Sequence, residues 1–103
     1  MINVYLYLDN NKDAQELAKA LLKAKLVGHV SIDSNNKTLL NVDGHVIEQI
    51  SSLITAQTKA MLFNSILDYV STNYHDTIKI FSVPITQCND VFGNIIREET
   101  EKV

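Results

Sequence analysis

The sequence predicts an α+β fold in which two helices cover one face of an antiparallel sheet, and three observations carry that prediction. Runs of β-favouring residues alternate with Ala- and Leu-rich amphipathic runs along the chain. An Asp-Gly pair, Asp43-Gly44, divides two apolar stretches, which is the strongest short-range signal for a hairpin. Only 3 Gly and 1 Pro interrupt 103 residues that are 46% apolar, so regular structure is dense and a single ordinary domain can bury its own core.

The elements follow in order. Ile2 to Leu8 alternates aliphatic with polar and aromatic side chains, as an opening strand does, and stops at Asp9-Asn10-Asn11. Asp13 to Leu26 places Ala14, Leu17, Ala18, Leu21, Leu22 and Lys25 at helical spacing, with Asn10 or Asn11 as its cap and an end near Lys25. Val30-Ser31-Ile32 returns to alternation, and Asp33-Ser34-Asn35-Asn36 reads as a polar interruption. Thr38 to Val42 and His45 to Ile50 flank Asp43-Gly44, and Ser51 to Ala56 extends the second arm. A type I′ turn needs positive φ at both central residues, and Asp and Gly tolerate it. Thr58 is available to cap a second helix over 59–74, with Met61, Leu62, Ile66, Leu67 and Val70 at helical spacing. Thr77 to Val83 alternates as a last strand closed by Pro84, and Asn89 or Asp90 caps a terminal helix through Arg97.

The resulting order, β-α-β-β-α-β plus a helix, is the ferredoxin-like sandwich. Its first strand carries Val4, Leu6 and Leu8 on one side and Tyr5 and Tyr7 on the other, so neither face of the sheet is plainly polar. A sheet face of that kind, left bare by the helices, points to oligomerisation.

Charge and composition exclude several functions. A net charge of −3 and the lack of any Lys/Arg block give no footprint for nucleic acid. The opening residues show no basic leader, and no apolar run approaches the length of a membrane span, so a soluble, cytoplasmic protein is expected. The lone Cys88 cannot form an internal disulfide and reads as a buried or half-buried thiol.

Chemistry-bearing residues are few. His29, His45 and His75 are the only imidazoles, and none is spaced as a helical pair with another, so a metal site must be assembled by tertiary or subunit contacts. Tyr74, His75, Asp76 and Lys79 gather acid, base and phenol at the junction between the second helix and the last strand, where a small anion or metabolite could be held; a solvated helix end is the simpler account of them. No nucleophile has an evident base, and no Gly-rich phosphate loop follows the first strand, so an enzyme is not expected.

Three stretches resemble the CutA family. Asp13 to Ile32, DAQELAKALLKAKLVGHVSI, is similar to that family's first helix and second strand. The acidic-Gly turn Asp43-Gly44 is similar to its Trp-Glu-Gly turn, and SVPITQCNDVFGNII resembles its closing strand, Pro, loop and last helix, with Pro84 and Phe92 on matching positions. His29 stands where the family carries Cys, Val42 where it carries Trp and Asp43 where it carries Glu; Asn73-Tyr74-His75 lies on its His-Pro-Tyr and Ile78-Lys79 on its Pro-Glu. The resemblance spans nearly the whole chain, so residues 1–103 are expected to form one CutA-like domain. It implies a compact, very stable homotrimer with long hairpins reaching across neighbours and clefts between subunits. It also implies a role in divalent-ion tolerance or PII-like signalling, with copper or another divalent metal as the candidate cofactor. His29, on the Cys position, and His45 are the candidate metal ligands; Tyr74, His75 and Lys79 are the candidate cleft residues. The alternative is an interaction module that keeps the trimeric fold and has lost the metal site.

Overall fold

The computed structural model describes residues 1–102. Four strands, β1 (Ile2–Leu8), β2 (His29–Val42), β3 (His45–Thr58) and β4 (Lys79–Pro84), form one antiparallel sheet in the order β2-β3-β1-β4. Three helices accompany them: α1 (Asn11–Lys23), α2 (Phe63–Asn73) and α3 (Asp90–Glu99). This is the expected ferredoxin-like arrangement.

Strand alternation sorts the two faces. Val4, Leu6 and Leu8 of β1 and Ile54 and Ala56 of β3 point to the helix side, where they meet Ala14, Leu17 and Leu21 of α1 and Ile66 and Val70 of α2. Burying a Leu or Ile there contributes about 1.5–3 kcal/mol each before entropy is set against it. The other face carries Tyr5, Tyr7 and Phe81, with Tyr5 and Phe81 stacked at 4.7 Å between ring centroids. Phe81 is 44% exposed there, and α3 closes one end of the face, with Phe92 edge-on to His29 at 5.5 Å.

The start of α1 is as expected: the Asn10 side chain accepts from the Asp13 backbone N–H at 2.8 Å. Its end is a Schellman motif. Leu26 N–H donates to Leu21 O and Lys25 N–H to Leu22 O, with Lys25 itself at φ 59°, the left-handed position usually given to Gly. Lys25 therefore lies just beyond the helix, and Leu22 is 41% exposed instead of facing the core.

Three other boundaries differ from the sequence-based expectation. The polar segment 33–36 does not break β2. It is a bulge, in which Ser34 and Asn35 oppose one residue of β3 between the pairs Asp33↔Leu53 and Asn36↔Ser51, and Asp33 accepts from the Asn35 N–H. Thr58 caps no helix. It is fully buried at the end of β3, where its hydroxyl donates to Leu26 O at 2.6 Å. A 3₁₀ turn, Ala60–Leu62, precedes α2 and leaves Met61 72% exposed.

The Asp43-Gly44 turn has φ of 51° and 80°, the two positive values that type I′ requires, with Val42 paired to His45 across it. β1 pairs with β3 only from Ser52 to Thr58. Beyond that point β2 and β3 continue alone as a two-stranded arm, from Asn36↔Ser51 to Val42↔His45.

Candidate functional site

The open sheet face holds a cavity of about 390 Å³. It lies where the arm leaves the sheet and β4 begins. Tyr7 and Phe81 form its apolar floor, with ring centroids 6.4 Å apart and planes 29° from parallel. Thr38 and Gln49, which face each other across the arm, join Ser51 as its polar wall. The rim is Asp9, His75, Thr77 and Lys79.

Two features of this cavity are set by register. The bulge in β2 puts Thr38 on the same face as Gln49 and Ser51 of β3 and Tyr7 of β1. Ser51 is 7% exposed, and its Oγ has no hydrogen-bond partner among the described residues. Buried hydroxyls are nearly always bonded, so this atom marks the wall as a place for a polar group.

The structure does not bring the candidate cleft residues into one cavity. His75 and Lys79 reach the cavity, and His75 Nδ1 lies 2.6 Å from Thr77 Oγ1. Asp76 lines a second, smaller groove of about 200 Å³ between α2 and β4. Tyr74 turns away and packs against the core. Its phenol is held above the usual value of 10.0 by burial first, then by the Glu16 and Asp13 carboxylates of α1 and by Tyr69. It therefore stays protonated at neutral pH.

The two candidate metal ligands sit at opposite ends of the hairpin. His29 pairs with Gln57 while His45 adjoins the turn; twelve residues of strand put them about 40 Å apart. His29 is well prepared for a ligand role. Gln57 Nε2 donates to Asn3 Oδ1, which turns Gln57 Oε1 toward the ring; His29 Nδ1–H donates to that oxygen at 2.8 Å. The lone pair is then on Nε2, the form a metal binds. Yet no group of three or more His, Cys, Asp or Glu side chains converges among the described residues. The donors of one chain do not fit a divalent ion; a site would need a second chain.

Sequence reasoning passed over Ser51, Thr38, Gln49, Tyr7 and Phe81. The signal was present in the register. Once β3 pairs with β1 through Ser52 to Thr58, Gln49 and Ser51 fall on the face that carries Tyr5 and Tyr7.

An α+β sandwich with one open aromatic face and a long hairpin arm is the class of protein that the fold and cavity define. Comparison with known proteins places the chain within it. The family model for CutA1 divalent ion tolerance protein matches residues 2–99, and the chain belongs to that family. Human Protein CutA is 24% identical over 95 residues, which are 91% of this chain; the chain spans about half of that relative's length (53%). CutA1 from Oryza sativa superposes with a TM-score of 0.90 at 21% identity, covering 99% of this chain and 94% of that one. A CutA from Archaeoglobus fulgidus, described as a periplasmic divalent cation tolerance protein, gives 0.86 at 25% identity, covering 98% and 100%.

Proposed function

We propose that the chain works as a homotrimer that binds a divalent cation, copper among them, or a small ligand in a cleft between subunits, serving ion tolerance or PII-like signalling. It acts by binding and not by catalysis. The observation that carries the reading is the arm. Seven successive pairs, from Asn36↔Ser51 to Val42↔His45, project beyond the sheet. They expose Leu39 (62%), Val46 (71%) and Ile50 (50%), along with Val42 and Ile47. A two-stranded ribbon is marginal in water by itself, and exposed apolar side chains in this density call for a partner surface. A second copy, which brings its own open aromatic face and its own His29, supplies both a cover for the arm and further donors.

Family membership supports the ion-tolerance part of this reading. The test is calorimetric titration of the purified protein with Cu(II) and Zn(II). Submicromolar binding abolished by His29→Ala is expected, and absence of binding to either ion overturns the metal reading. The separation of His29 from His45 favours a second reading, in which the trimer persists as an interaction module without a metal; that reading predicts a trimer and no metal binding. We place the protein in the cytoplasm, where an exposed unpaired thiol such as Cys88 stays reduced. No helix among the described residues is long and apolar enough to cross a membrane. Cell fractionation checks the placement.

A further inference from the structure

We draw no further inference here: the strongest candidate, the groove of about 200 Å³ that Leu67, Val70, Ile78 and Ile80 line between α2 and the edge strand β4, carries none, because nothing in the structure shows what covers it.

Discussion

At the scale of single residues, two side chains hold conformations or charge states with measurable costs. Lys25 occupies the left-handed position that closes α1, where its Cβ crowds the backbone. Among the described residues it makes one ionic contact, a 3.9 Å exposed pair with Glu99, which contributes little. Lys25→Gly should therefore stabilise the fold by about 0.5–1 kcal/mol in a urea melt, despite removing a side chain. Tyr74 gives a pH signature. Burial, Glu16 and Asp13 raise its folded pKa above the unfolded value of 10.0, so the native state retains the phenolic proton longer than the unfolded chain does. Its contribution is fully present below pH 10 and is lost as pH rises through the folded pKa. Melting temperatures taken between neutral pH and strongly alkaline pH should fall on the alkaline side, and Tyr74→Phe should remove that part of the fall.

At the scale of elements, the sequence was most legible where local chemistry and tertiary structure agree. Asn10 and Asn89 cap the helices they precede, and Asp43-Gly44 makes the turn its residues favour. The alternation of β1 separates Tyr5 and Tyr7 from Val4, Leu6 and Leu8, as its pattern implies. Misreadings arose where tertiary pairing overrides local preference. Four polar residues look like a loop, but pairing with β3 on both sides keeps 33–36 in the strand as a bulge. Thr58 looks like a cap, but the chain keeps pairing with β1 up to that residue. The cavity was the least legible feature, because its residues come from four strands and the connections after β1 and before β4, and meet only through register. The docking of α3 depends on a single small residue. A Cβ on Gly28 would come within 3.2 Å of Ile96 Cδ1 and 3.3 Å of Ile95 O and Ile96 Cα. Two of those neighbours are backbone, so Gly28→Ala should cost about 1–3 kcal/mol and speed hydrogen exchange in α3 more than in α1.

At the scale of the whole molecule, the helices pack on one sheet face and leave Phe81 of the other face, together with the apolar residues of the arm, exposed. The longest dimension, 45 Å against 29 and 21 Å, reflects that unshared arm. If its apolar residues are covered by neighbouring copies, placing charge among them must act on assembly before it acts on the sandwich. Val46→Lys and Ile47→Asp lie on opposite faces of the arm and touch none of the buried core. The most direct measurement is light scattering on the eluting protein, wild type beside the Val46→Lys/Ile47→Asp double variant. The account predicts the mass of three chains for the wild type and of one chain for a still-folded variant. A wild-type protein with the mass of one chain would contradict it.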